Sequence, residues 1–258
     1  MHAGDIIYKI DGSLAEEMTL YQAIRKIRGK QGTKVVLTLI RTSLPEPLEL
    51  TITRRKITIE SVTVEKLPGD LFHVTIHQFN DHTTKEFSDA VQKILLEKAK
   101  GLILDVRGNG GGYLEVSINI LSELLPGQMP AVIIKERDPN KNRTQKTSGS
   151  GRLADIPMAV LVDGFSASAS EIVAGALQDH KRAILIGEKT FGKGSVQEIL
   201  DFKDGSELRM TIAKWFTPLD RSIDEVGIKP DREVKMTEAD IDAGKDPQLD
   251  EAVKYLAK

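Results

Sequence analysis

Hydrophobic positions change their period several times along this chain. Asp5 to Ile10 reads as a strand, closed by the turn pair Asp11-Gly12. Thr19 then precedes apolar residues at 20, 23, 24 and 27, the spacing of one helix face, and Gly29 and Gly32 end that helix. Lys34–Ile40 and Leu48–Thr53 alternate as a hairpin does, with Pro45 and Pro47 in the connection, and Arg54-Arg55-Lys56 reads as a linker. Beyond it, Phe72–Ile76 is strand-like, and Thr84 is expected to cap a helix with Phe87, Val91, Ile94 and Leu95 on one face. Gly101–Val106 reads as a buried strand, Gly108–Gly112 as a loop, and Glu115–Leu125 as a helix. Pro130–Ile134 and Pro157–Val162 are further buried strands. Between them Arg137–Gly151 is polar, basic and glycine-rich, and is expected to be a mobile surface loop. Ala167–Gln178 is helical, while Ala183–Ile186 and Leu208–Lys214 are strands. Strands alternating with helices predict an α/β layered core behind a smaller β-rich unit, with the boundary after residue 56.

Composition narrows the chemistry. The 258 residues allow one large domain or two ordinary ones. With 40% hydrophobic and 29% charged residues the chain has the makings of a packed core rather than of disorder. A net charge of -2 gives no field that would gather nucleic acid or an anionic membrane. The absence of cysteine excludes disulfides, thiol nucleophiles, thiolate zinc sites and iron–sulfur clusters. No apolar run approaches the ~18 residues that span a bilayer, and Met1–Asp5 lacks a signal-peptide pattern. The chain is therefore expected to be soluble, any targeting segment having been removed, lying upstream, or never having existed.

Four constellations could carry chemistry. Ser166, Ser168 and Ser170 lie at a strand-to-helix turn; Ser168 and Glu171 fit a capping box, and equally a nucleophile at the positive end of a helix. Lys193 lies between Gly192 and Gly194, as a surface charge or as a lysine delivered into a site. Gly187 to Lys193 also spells the first part of a phosphate-binding loop, with Asp105 placed as a magnesium aspartate would be. Gly194 stands where that motif needs Ser or Thr, and Val196–Ile199 reads as a strand where it needs a helix. The Gly108–Gly112 loop could turn amides onto an anion or be a flexible turn. His73 and His77 share a face if their strand runs that far, but no third ligand is suitably spaced, and they read as ordinary strand histidines rather than metal ligands. Neither these nor His82 and His180 sit in a Ser/His/Asp pattern.

Taken together these segments resemble the C-terminal processing peptidases, or tail-specific proteases. Asp105-Val106-Arg107-Gly108-Asn109-Gly110-Gly111-Gly112 is similar to the family's Asp-x-Arg-x-Asn-x-Gly-Gly stretch. Ser166–Ile172 followed by Gln178-Asp179 is similar to its nucleophile segment, and Phe191–Gln197 to its lysine segment. Thr217-Pro218, Arg221–Ile223 and Gly227–Asp231 resemble its closing motif, with Leu219-Asp220 where the family often carries a glycine. The first segment resembles the second half of a PDZ domain, here without the strands and carboxylate-binding loop that precede it, so it is expected to be a shortened unit.

The resemblance implies a crotonase-like α/β protease core and a serine–lysine dyad. Ser168 would be the nucleophile, Lys193 its general base, and Gln197 the hydrogen-bond partner that holds the lysine. Amides of Ala169 and Gly111 would form the oxyanion hole, with Asp179, Arg107 and Asn109 in support. Such a dyad is demanding, because a serine needs a base and a lysine amine is protonated at neutral pH unless burial or a helix N-terminus disfavours the charge. No metal or cofactor is required. The implied partners are protein or peptide substrates with apolar C-termini, together with a second copy or a regulatory partner, and the implied place of work is outside the cytoplasm. Two rivals stand beside this reading: a latent binding module with a protease-like fold, and a phosphate-loop nucleotide hydrolase.

Overall fold

The structure, a computed structural model, describes residues 5–41, 44–55, 60–202 and 206–257. The first four residues and the expected boundary after residue 56 lie outside them. The chain divides into two compact units, Met1–Ile59 and Glu60–Lys258.

The smaller unit holds β1 (Ile6–Ile10), β2 (Ser13–Leu14), α1 (Leu20–Ile27), β3 (Lys34–Ile40) and β4 (Leu48–Thr53). Its antiparallel sheet runs β2-β1-β3-β4 around a core of Ile10, Val35, Leu37 and Leu39. Thr19 caps α1 through a reciprocal bond with Gln22. Arg54, read as linker, is instead part of this unit. Its guanidinium donates to the carbonyls of Lys26, Ile27 and Lys34 and fastens the end of α1 to the hairpin.

The larger unit continues with β5 (Val62–Leu67), β6 (Leu71–Ile76), α2 (Thr83–Leu96), β7 (Gly101–Asp105), α3 (Leu114–Leu124), β8 (Pro130–Glu136) and β9 (Arg143–Lys146). It ends with β10 (Met158–Val162), α4 (Ala169–Asp179), β11 (Ile184–Gly187), β12 (Ser195–Asp201), β13 (Glu207–Phe216), β14 (Arg232–Glu233), α5 (Glu238–Asp242) and α6 (Pro247–Leu256). Its central sheet runs β14-β11-β10-β7-β6-β5, parallel except for β5. From β6 to β14 the strands follow in space the order they have in the chain. Right-handed crossovers then carry α2, α3 and α4 to one face. There Leu102, Leu104, Val160 and Val162 pack with Phe87, Val91, Leu121 and Val173. On the other face Ile103, Ala159, Leu161 and Ile186 meet Ala252 of α6. Burial on both faces is why Gly101–Val106 and Pro157–Val162 read as unbroken apolar runs rather than alternating ones. A second, antiparallel sheet, β12-β13-β8-β9, adds Val132 and Trp215 to the core that α3 and α4 share.

Several expectations need correcting. The polar stretch Arg137–Gly151 contains β9, which pairs with β8. An edge strand that buries little side-chain surface carries no apolar pattern, so it reads as loop. The second helix begins at Thr83, not after Thr84. The Thr83 hydroxyl bonds to the Gln78 carbonyl and the Asn80 amide and so closes the turn that starts it. β5, α5 and α6 have no counterpart in the sequence reading. Among the described residues, no helix is long and apolar enough to cross a membrane.

Candidate active site

Three loops leave the C-terminal ends of β7, β10 and β11, where α/β sheets present their ligand sites. The second carries the alternating serines. Ser166 and Ser170 are fully buried, and their hydroxyls donate to the Val106 and Asn109 carbonyls at 2.8 Å each. Both therefore stitch this turn to the loop after β7. Ser168 is half-buried and lines a cleft of about 530 Å³. Its backbone sits at φ 55°, ψ -115°, an unfavourable conformation for a residue with a Cβ. That turn aims the side chain away from the sheet at the start of α4, where the helix leaves its first amides free. Ala169 is the first residue of that helix.

Glu171 holds the turn and the lysine loop together. Its carboxylate is fully buried and accepts the Ser168 amide at 2.9 Å, as the capping pattern predicts. It also accepts the Thr190 hydroxyl at 2.6 Å, the Gly192 amide at 2.8 Å and the Lys193 amide at 2.9 Å. As a cap Glu171 would bond Ser168 alone; its hold on the lysine loop is a second role that the capping pattern does not carry. The signal was a glutamate within an otherwise apolar helix segment, because a buried carboxylate needs several donors. Gly192 at φ 94° has no room for a Cβ, which would lie 2.9 Å from the Gly227 amide. The Lys193 side chain is exposed and lines the same cleft as Ser168; among the described residues its amine has no ion-pair partner. Gln197, on β12, lines this cleft too but makes no hydrogen bond to Lys193 among the described residues.

The glycine loop packs directly on the serine turn. A Cβ on Gly111, at φ 100°, would lie 2.8 Å from the Ser168 Cβ and 3.0 Å from the Ala169 nitrogen. Asn109 is buried and organises this loop. Its side-chain NH2 donates to the Ile76 carbonyl at 2.6 Å, and its oxygen accepts the Gly111 amide at 2.8 Å. The Gly111 N–H expected in an oxyanion hole is thus committed to Asn109 in this arrangement. Asp163 ties the first two loops by accepting the Gly108 and Ser166 amides. Arg107 points the other way, to Asp105 and to α6. Burial alone would raise the Asp105 carboxyl, but hydrogen bonds from His73 and Arg107 outweigh it and hold the group below the usual carboxylate range.

Asp179 lies at the far end of α4 from Ser168. It accepts the Leu219 amide at 2.7 Å and the Arg221 guanidinium, so it anchors the closing segment rather than touching the cleft. His73 bonds to Asp105 at 3.0 Å and His77 to Thr63 at 3.1 Å. The acidic neighbour of His73, absent from the sequence spacing, comes from the parallel pairing of β6 with β7. Residues Gly187 to Lys193 do not make a phosphate loop, since strand β12 follows where a helix would have to start. The walls of the cleft are Phe79, Leu114, Ile172, Val196 and Trp215, with Gln78 and Asn80 at one side.

The model of Peptidase family S41 matches residues 70–234, a span that holds the ends of β7, β10 and β11, the serine turn and the lysine loop. The chain belongs to peptidase family S41. The S41 relatives include a carboxy-terminal-processing protease of Bartonella bacilliformis, 40% identical over 235 residues, covering 89% of this chain and 53% of that one. A carboxyl-terminal-processing protease of Synechocystis is 36% identical over 261 residues, covering 98% and 60%. The solved structure of a photosystem II D1 C-terminal processing protease superposes with a TM-score of 0.66 at 33% identity, covering 91% of this chain and 64% of that one. The chain spans about half the length of the curated relatives it matches.

Proposed function

We propose that this chain is the peptidase part of a C-terminal processing protease, with Ser168 as nucleophile and Lys193 as general base. One observation carries the reading. Of three alternating serines two are bonded into the fold, and the third stands on a strained turn in the cleft that Lys193 also lines. Ser168 Oγ attacks the scissile carbonyl and passes its proton to the Lys193 amine. The tetrahedral intermediate places its oxyanion at the start of α4, on the Ala169 amide, with the Gly111 amide as second donor. The protonated lysine then gives its proton to the leaving amine, and water hydrolyses the acyl-enzyme. No step calls for a metal or cofactor.

The arrangement in hand is a resting one. The Gly111 amide must leave Asn109 to meet an oxyanion, and a bound substrate must cover the exposed lysine. Gln197, on the same cleft wall, is placed to orient that amine once it is covered. The aromatic and aliphatic walls favour a protein or peptide with apolar residues near its C-terminus. The resemblance of the first segment to the second half of a PDZ domain is supported by a four-stranded sheet with one helix in the smaller unit. By its likeness to the C-terminal processing proteases the activity belongs outside the cytoplasm.

Cleavage of β-casein by the wild type, Ser168→Ala and Lys193→Ala tests this directly. Activity in the wild type alone is the expected result. Equal activity in all three overturns the dyad, whereas three folded and equally silent proteins would leave a latent, substrate-binding form of the same fold.

A further inference from the structure

We propose that α6, which follows the stretch matched by the family, is a positioning element for the oxyanion loop and acts through Asp246 and Gln248 on Arg107. The inference rests on the function proposed above. Arg107 stands four residues before Gly111, and its guanidinium is held from two sides. From β7, Asp105 accepts its Nε at 3.0 Å and a terminal nitrogen at 2.6 Å. From α6, Asp246 takes both terminal nitrogens, at 2.9 and 2.8 Å, and Gln248 Oε1 takes one of them at 2.8 Å. These partners lie 139 and 141 residues away in the chain.

Both α6 residues are committed in ways that fix where they stand. Asp246 caps α6 by accepting the Leu249 amide at 2.9 Å. Gln248 is buried and donates to the Val234 carbonyl at 2.8 Å, and Ala252 seats the helix against Ile103 and Leu161. A forked guanidinium paired with a carboxylate on each side accepts one geometry only. The Arg107 amide also donates to Asp105, so the backbone entering the loop is fixed with the side chain. From there Gly108 is tied to Asp163, and Gly111 meets the Ser168 turn. Seating of α6 therefore decides whether the loop amides are held where the oxyanion forms, although no atom of α6 lines the cleft.

The test uses the full chain with Asp246→Asn, Gln248→Ala and Glu251→Gln. Asparagine caps a helix as well as aspartate does, so the first change removes the charge and spares the cap. Glu251 pairs with Arg232 and not with Arg107, so its change loosens α6 against β14 alone. Amide exchange in a peptide covering residues 106–112 reports the bonded Arg107, Gly108 and Gly111 amides. A fluorogenic peptide with an apolar C-terminus gives kcat and KM. Asp246→Asn and Gln248→Ala are expected to speed exchange and lower kcat by about tenfold each, with KM within about twofold. Glu251→Gln is expected to leave all three readings at wild-type values. Wild-type exchange and kcat in Asp246→Asn and Gln248→Ala overturn the proposal, as does an equal effect of Glu251→Gln, which would make α6 mere packing. Ser168→Ala runs alongside: turnover that survives it defeats the proposed function, while the exchange measurement still judges α6. Exchange also decides the matter in a chain that is folded but latent.

Discussion

Ser166, Ser168 and Ser170 are chemically alike and differ only in what their hydroxyls touch. Replacing Ser166 or Ser170 by alanine removes one of two donors from a buried carbonyl, which keeps a backbone amide, and is expected to cost about 1 kcal/mol each in urea unfolding. Ser168→Ala is expected to leave stability within about 0.5 kcal/mol of the wild type, because a half-buried hydroxyl in a cleft adds little to the fold. Gly111→Ala combines a left-handed backbone with a Cβ pressed on Ser168, and is expected to abolish acylation by a fluorophosphonate while the protein remains folded. Glu171→Gln keeps the shape but turns one of its two acceptor oxygens into an NH2 group that faces two donors. A fall in acylation rate of about tenfold or more is expected, with the Lys193 loop exchanging faster. The serine and the lysine were legible as residues, since their local motifs are dense and specific. The second role of Glu171 was not, because its partners lie 19 to 22 residues away and meet it only after β11 has paired with β10.

Elements were legible in proportion to the apolar surface they bury. α1, β3 and β4 fall where the pattern places them, as do the central strands β7 and β10 to within a residue. β9 escaped because an edge strand with solvent on one side needs no apolar code. The loop after β9 is not loose either. Arg182 donates to the carbonyls of Leu124, Leu153 and Ile156 and so fastens it to the end of α3. Removing this side chain takes a donor from three carbonyls at once, of which Leu153 keeps the Ile156 amide. Arg182→Ala is expected to lower stability by about 2–4 kcal/mol, read as a shift of the urea midpoint at unchanged slope. An unchanged midpoint would mean that water replaces the guanidinium without penalty.

At the scale of the whole molecule, the site is held between the helical face of the sheet and the face that α6 covers. The link between them is ionic, so it titrates. Burial works to raise the carboxyls of Asp105 and Asp246, yet the Arg107 hydrogen bonds, with His73 on Asp105, leave both below the usual carboxylate range. Groups whose folded values are lowered stabilise the fold fully above their unfolded values, near ~4, and lose that contribution as pH falls through the lowered ones. The melting temperature of the wild type is therefore expected to hold from neutral pH down to about 5 and to drop below about 4. Asp246→Asn should flatten that acid limb, and superimposable limbs would show that the pair contributes nothing. Local sequence is enough for the layered α/β class, for the elements that bury apolar surface, and for the residue types at the serine turn and lysine loop, because periodicity and short glycine motifs are local properties. It takes the packed fold to show which serine lines the cleft, that Gly111's amide rests on Asn109, and that α6 reaches Arg107. Each of these depends on groups distant in the chain competing for the same hydrogen bonds, and no local pattern records how that competition ends.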